Sequence, residues 1–266
     1  MTAHATAFHA LHHAQLFILP NVADAGGARL VAQLGSQAVA TSSAAVAWTH
    51  GYKDGNQLPL PLLVSTVQSI ARVIDVPLSV DIEAGYSDDP EHVGRVIKAV
   101  IDAGAIGVNI EDGAGTPELL ARKIEVARRV ADSCGVKLFI NARSDVYLKG
   151  LAPEPQRLEE LLKRAALYQG AGADGLFAAG IHLEHEIQQL CQATNLPVNV
   201  LAWAGLPAPE TLQALGVRRL TAGSSIAEFL YGAMHSLAEG FLRTGQLDTH
   251  ALKAFTYGDM NGRMAP

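Results

Sequence analysis

Eight short apolar runs, each followed by a stretch of helical period, dominate this 266-residue chain. The runs cover residues 16–22, 38–42, 78–83, 107–112, 138–143, 175–179, 198–202 and 219–222. Helical patterns lie between them, among them 64–74, 90–103, 117–133 and 155–169. A strand followed by a helix returns to run parallel to its predecessor, and eight such units let the sheet close on itself. The runs are apolar throughout rather than alternating, as expected of strands covered on both faces. The expected fold is therefore α/β, a (β/α)8 TIM-type barrel, in one domain over residues 1–266. The length suits one such barrel, and 49% apolar residues are ample for one large core.

A weak internal repeat supports this reading. Even-numbered strands follow a glycine turn: Leu34-Gly35, Ala103-Gly104, Ala171-Gly172 and Leu215-Gly216. Glycine there ends the preceding helix in the left-handed region. Three odd-numbered strands follow Val76-Pro77, Gly135-Val136 and Leu196-Pro197 instead. Proline stops a helix and starts a strand without needing a ladder donor. Past the last strand, residues 225–243 read as a long amphipathic helix, followed by a shorter helical tail to 255. The extension, about 225–266, carries an apolar face that needs a partner surface, so a homo-oligomer through the C-terminal helices is expected.

The net charge of −6 and the absence of a basic patch argue against a nucleic-acid partner. No apolar run is long enough to cross a bilayer. The His- and Ala-rich start lacks the basic-then-apolar order of a signal peptide. Two distant cysteines, Cys134 and Cys191, make no disulfide framework. A cytoplasmic location with no membrane partner is the expectation.

The chemistry gathers where strands end. Charge beside a core is costly unless it has a partner or a task, and parallel barrels carry their active sites at these ends. Asp81 and Glu83 are two apart on one strand and share a face. Two like charges on one face call for a cation or a proton between them, so both are candidate metal residues, with surface carboxylates as the alternative. Glu111 completes the acidic cluster, while Asp112 reads as a cap for the next helix. Arg143 has a planar fork suited to holding a substrate carboxylate at two points, or it neutralises Glu111 or Asp145. Asn141 shares its face. Ser42, Ser43 and Ala44 are small enough to bring a ligand close to backbone N–H groups. Asp54-Gly55 reads by spacing as a turn pair. Gly223-Ser224 reads as turn and cap rather than a phosphate cradle. His182 and His185 do not match a zinc spacing, and neither cysteine is placed for thiol chemistry.

These motifs, in this order, resemble the isocitrate lyase / phosphoenolpyruvate mutase superfamily from Leu19-Pro20-Asn21 through the eighth strand. Ser79-Val80-Asp81-Ile82-Glu83-Ala84-Gly85-Tyr86 looks like its metal motif, with Glu83 where a second Asp is usual. Asn109-Ile110-Glu111-Asp112 and Asn141-Ala142-Arg143-Ser144-Asp145 look like its next acidic motif and its substrate-arginine motif. Ser42 and Asp54 align with the mutase branch, which makes Asp54 a candidate catalytic residue beside Arg143. The resemblance implies Mg²⁺, with Mn²⁺ as the alternative ion, held directly by Asp81 and through water by Glu83 and Glu111. It implies a small-molecule 2-oxo acid substrate, contacted by Ser42, Ser43, Ala44, Asn141 and Arg143. The reaction implied is cleavage or formation of a C–C or P–C bond in a 2-oxo or 2-hydroxy acid through an enolate. The lyase branch's Lys-Lys-Cys-Gly-His string is absent, and only Gly113-Ala114-Gly115-Thr116 stands where the mutase branch has a longer lid. Ala178-Ala179 replaces that branch's histidine. A degraded barrel that binds a 2-oxo acid as sensor or scaffold is the alternative function.

Overall fold

The structure, a computed structural model, describes residues 2–247 and 254–264. Its strands are β1 (Phe17–Leu19), β2 (Asn21–Val22), β3 (Val39–Thr41), β4 (Leu78–Asp81), β5 (Gly107–Glu111), β6 (Phe139–Ser144), β7 (Gly175–Ala178), β8 (Val198–Leu201) and β9 (Arg219–Thr221). Its helices are α1 (Thr2–Leu11), α2 (Ala25–Gln33), α3 (Ser43–Thr49), α4 (Leu60–Ala71), α5 (Pro90–Asp102), α6 (Pro117–Ser133), α7 (Arg157–Gly170), α8 (Glu184–Ala193), α9 (Pro209–Leu215), α10 (Ser225–Thr244) and α11 (Tyr257–Met264). All strand pairings are parallel, in the order β1-β9-β8-β7-β6-β5-β4-β3-β2.

The expected first strand is split at Pro20. Its first half pairs with β9 and its second with β3, so this one segment closes the barrel. Proline lacks the N–H that an unbroken ladder requires, and Pro20 still accepts a bond from Ala40 N–H. The glycine turns behave as their sequence context demands. Gly104 has φ of 113°, and a Cβ there would come within 2.8 Å of Ala71 Cβ.

The barrel interior is layered. At its N-terminal end Phe17, Leu19, Ala38, Ala40, Ile106 and Phe139 form an apolar plug with Ala5 and Phe8 of α1. Phe8 meets Phe17 and Phe139 edge-on, at 6.0 and 5.5 Å. Gly107 makes room for it, because a Cβ there would lie 2.8 Å from the Phe8 ring. Above the plug lies a polar layer of Asn109, Asn141, Asn199 and Arg219, all buried. Outside the strands, Val80, Ile82, Val108, Ile110 and Ile140 pack with Val93, Ile97, Ile124 and Leu161 of the helices in the main core.

The last helices depart from this plan. Along α10 only Ala227 is buried, while Phe229 is 81% and Leu242 85% exposed. The expected tail to 255 is not helical at residues 254–256, and residues 248–253 lie outside the described ones. The following helix is α11, whose Arg263 carbonyl accepts from Arg29 Nε at 2.7 Å and Gln33 Nε2 at 2.9 Å on α2.

Candidate active site

The C-terminal ends of the strands surround a cavity of about 250 Å³. Ser42, Ser43, Ala44, Asp54, Asp81 and Arg143 line it, joined by Asn21, Asn109, Phe177 and Thr221. Alternation along the strands explains the gathering. Asn109 pairs with Asp81 and with Asn141, and Glu111 pairs with Arg143, so polar side chains point inward at matching heights while Val80, Ile110 and Ala142 face the helices.

Asp81 is held in place by backbone donors. Ser43 N–H reaches its Oδ2 at 3.3 Å and Glu83 N–H its Oδ1 at 3.1 Å. Ser42 caps α3 by accepting from Ala45 N–H, and Ala44, in the same first turn, lines the cavity while its N–H has no acceptor among the described residues. Asp54 sits on an exposed loop at the cavity rim.

The structure corrects four sequence expectations. Glu83 does not line the cavity, because its Oε2 turns away to accept from the N–H groups of Gly55 and Asn56. It thereby ties the Asp54 loop to the end of β4, while its Oε1 is buried without a partner. That junction is conformationally tight: Asn56, Glu83 and Tyr86 all have positive φ, and Asn56 Oδ1 accepts from Tyr86 N–H at 3.0 Å. Second, Arg143 cannot present its whole fork to a ligand. Its Nη1 holds Glu111 and its Nε holds Asp145, each at 2.7 Å, leaving Nη2 without a protein partner among the described residues. Third, Asn141 lies beneath the floor, donating to Asn109 at 2.9 Å and Asn199 at 3.0 Å, so it does not touch the cavity. Fourth, Asp112 caps nothing. Thr116 caps α6, and the buried Asp112 carboxylate accepts from Ser144, the Asp145 N–H, Arg164 and Tyr168.

Burial pushes the carboxyls of Asp81 and Glu83 above their usual range and takes Glu111 up to about 8. Arg143 opposes that rise at Asp81 and Glu111. Burial works against the Arg143 charge too, but Glu111, Asp145 and Asp81 outweigh it and keep it protonated. The pocket thus holds more acidic than basic groups in a low-dielectric setting, a donor set that an added divalent cation would balance. Among the described residues no three His, Cys, Asp or Glu side chains stand close enough to grip an ion together. What fits is an ion with few protein ligands and retained waters, as Mg²⁺ prefers.

Sequence reasoning missed Asn21, Asn109, Phe177 and Thr221. Asn21 ties the barrel seam, donating to Thr41 O at 2.9 Å and accepting from Gly223 N–H at 3.0 Å. Phe177 lies 5.7 Å under the Arg143 guanidinium. For two of them the signal was register: Phe177 pairs with Arg143 and Asn109 with Asp81. A smaller cavity of about 180 Å³ adjoins Glu111, roofed by the short turn at residues 113–116 and flanked by Lys123 and Lys149.

A family model described as phosphoenolpyruvate phosphomutase matches residues 8–242. The chain belongs to that family. An uncharacterised protein of Mycobacterium tuberculosis (strain H37Rv) is 33% identical over 236 residues, 86% of each chain. An oxaloacetate decarboxylase of Bradyrhizobium sp. (strain BTAi1) is 30% identical over 209 residues, 74% of this chain and 68% of the relative. The crystal structure of a candidate phosphonomutase from Burkholderia cenocepacia J2315 superposes with a TM-score of 0.84 at 38% identity, over 90% of this chain and 100% of that one.

Proposed function

We propose that this protein is a Mg²⁺-dependent enzyme that cleaves or forms a C–C or P–C bond in a small 2-oxo or 2-hydroxy carboxylic acid through an enolate. The observation that carries the reading is one small cavity flanked by the buried carboxylate of Asp81 and the one uncommitted nitrogen of Arg143. Similarity to oxaloacetate decarboxylases supports the substrate class. When bound, Mg²⁺ (or Mn²⁺), held by Asp81 directly and by Glu111 through water, would supply Lewis-acid stabilisation of enolate charge.

The chain's own groups divide the rest of the work. Arg143 Nη2 binds a substrate carboxylate, and the Ala44 N–H beside Ser42 and Ser43 binds a second oxygen. Phe177, Leu148 and Leu201 supply the apolar part of the cavity lining. With oxaloacetate, the C3–C4 bond breaks, its electron pair forms the enolate of pyruvate, and CO₂ leaves. Asp54, at the cavity rim, would relay a proton from solvent to C3. In this reading residues 1–266 act as one barrel unit, and the apolar face of α10 joins protomers into a homo-oligomer. Among the described residues no helix is long and apolar enough to cross a membrane, and we place the enzyme in the cytoplasm.

The test is pyruvate release from a panel of oxaloacetate, alkylmalates and phosphonopyruvate, with and without Mg²⁺. Metal-dependent release from at least one member is expected. No release from any of them, with intact oxalate binding, would favour the sensor or scaffold alternative.

A further inference from the structure

The floor of the cavity carries a charge that the mechanism above leaves unused. Arg219 of β9 points into the barrel and is fully buried. Its Nη2 donates to Asn109 Oδ1 at 3.2 Å, whereas Nε and Nη1 have no partner among the described residues. Asp81 is the carboxylate whose charge reaches it. Burial pulls the guanidinium down to about 9, which leaves it charged at neutral pH. A buried cation without a paired carboxylate weakens a fold, so its presence calls for a use.

That use follows from hydrogen-bond polarity. A guanidinium only donates, so Asn109 must turn its amide oxygen down toward Arg219. Asn141 Nδ2 donates to the same oxygen at 2.9 Å and to Asn199 Oδ1 at 3.0 Å. Asn199 Nδ2 in turn donates to the Val200 carbonyl and Thr221 Oγ1. The Val200 carbonyl, which only accepts, fixes Asn199 at one end of this layer, Arg219, which only donates, fixes Asn109 at the other, and Asn141 bridges the two. With its oxygen held by two donors, Asn109 can aim only its Nδ2 upward, and Asn109 lines the cavity beside Asp81. Had the amide been free to flip, it would offer a bound anion an oxygen as readily as an N–H.

We propose that the Asn109 side-chain amide donates a hydrogen bond to an anionic oxygen of the ligand, and that Arg219, together with Asn141, acts as a positioning residue that holds it in that orientation. This rests on the reading of the cavity as a 2-oxo-acid site. The specificity that results is for planar, acceptor-rich anions, carboxylate or enolate, over ligands that present a donor there.

The experiment is calorimetric binding of oxalate, a planar dianion, at saturating Mg²⁺, with denaturant unfolding of the same samples. Asn109→Ala should weaken oxalate about ten- to a hundredfold, the range for a hydrogen bond to a charged group. Arg219→Met, which leaves Asn141 to hold the Asn109 oxygen, should lose a smaller, several-fold factor without touching the ligand, and its unfolding midpoint should be equal to or above wild type, because an unpaired buried charge is gone. The double variant should bind no more weakly than Asn109→Ala alone, since one residue acts through the other. Should Arg219→Met fail to fold, Arg219→Gln takes its place: a neutral amide no longer enforces polarity, and weakened oxalate binding is again expected. Unchanged affinity in Asn109→Ala, unchanged affinity in the Arg219 variant, or losses that add in the double variant would overturn the proposal. Failure of the wild-type protein to bind oxalate would instead overturn the 2-oxo-acid reading, and this inference with it.

Discussion

Removing the Asp112 carboxylate should destabilise the protein more than removing any cavity-lining carboxylate. Asp112 is buried and satisfies four donors: Ser144 Oγ at 2.9 Å, Asp145 N–H at 2.9 Å, Arg164 Nη1 at 2.8 Å and Tyr168 Oη at 2.7 Å. Asp112→Ala strands the Arg164 guanidinium, which keeps only Glu160 on its other side. Breaking one partner of a buried ion pair costs about 3–5 kcal/mol, a large share of the roughly 5–15 kcal/mol that holds a domain folded. At about 2–4 °C per kcal/mol for a chain of this size, the melting temperature should fall by roughly 6–20 °C. Asp112→Asn keeps the shape and part of the bonding, and should lose less. The consequence reaches the cavity, because Asp112 fixes the Asp145 backbone and Asp145 fixes Arg143 Nε. Urea unfolding of both variants, read by tryptophan fluorescence, checks the figure. A loss below about 1 kcal/mol in Asp112→Ala would refute the assignment of Asp112 as the brace of the β6 end.

Three further outcomes are expected. His12 is buried against Phe139, and burial takes it from 6.5 down to about 3. The unfolded chain therefore binds a proton first as pH falls, and stability that is complete above pH 6.5 declines toward pH 3, by about 2 kcal/mol at pH 5; His12→Phe should flatten that part of the pH–stability curve, and an unchanged slope would exclude His12 as its source. Cys191 lies in α8 at the far end of the barrel, where burial pushes its thiol up to about 11, so Cys134→Ser with Cys191→Ser should leave turnover within a few-fold; a thousandfold drop, about 4 kcal/mol of barrier, would restore a thiol mechanism. Glu83→Gln should loosen the Asp54 loop, seen as faster amide exchange at Gly55 and Asn56, because a neutral amide oxygen is a weaker acceptor for their two N–H groups; unchanged exchange would mean that the latch is not made in solution.

The barrel was legible because its signals are local. Continuous apolar strands, proline after helix caps and glycine at left-handed turns each act within a few residues, and Gly35, Gly104, Gly172 and Gly216 all adopt the positive φ that their context demands. The site was legible as a set of strand-end residues but not as a set of contacts. Whether Arg143 offers two nitrogens or one depends on Glu111 and Asp145. Asn141 shares the face of Arg143 yet sits one layer lower, because strand alternation gives a side but not a depth. Asp112 reads as a cap from its neighbours Gly113 to Thr116, and only the distant Arg164 and Tyr168 show it to be a buried brace. The unpaired Arg219 carries no sequence signature, since a cation in a strand looks like an edge residue until the barrel closes around it.

The central claim is that Asp81 anchors a divalent ion which, together with a 2-oxo-acid anion, fills this cavity. Thermal unfolding with Mg²⁺ and oxalate added singly and together tests it most directly. At about a hundred times the dissociation constant a ligand adds about 2.7 kcal/mol to the folded state, which is roughly 5–10 °C here. The wild-type protein should show that rise when both are present, and Asp81→Ala should show none. An equal rise in Asp81→Ala, or no rise in the wild type, would contradict the account.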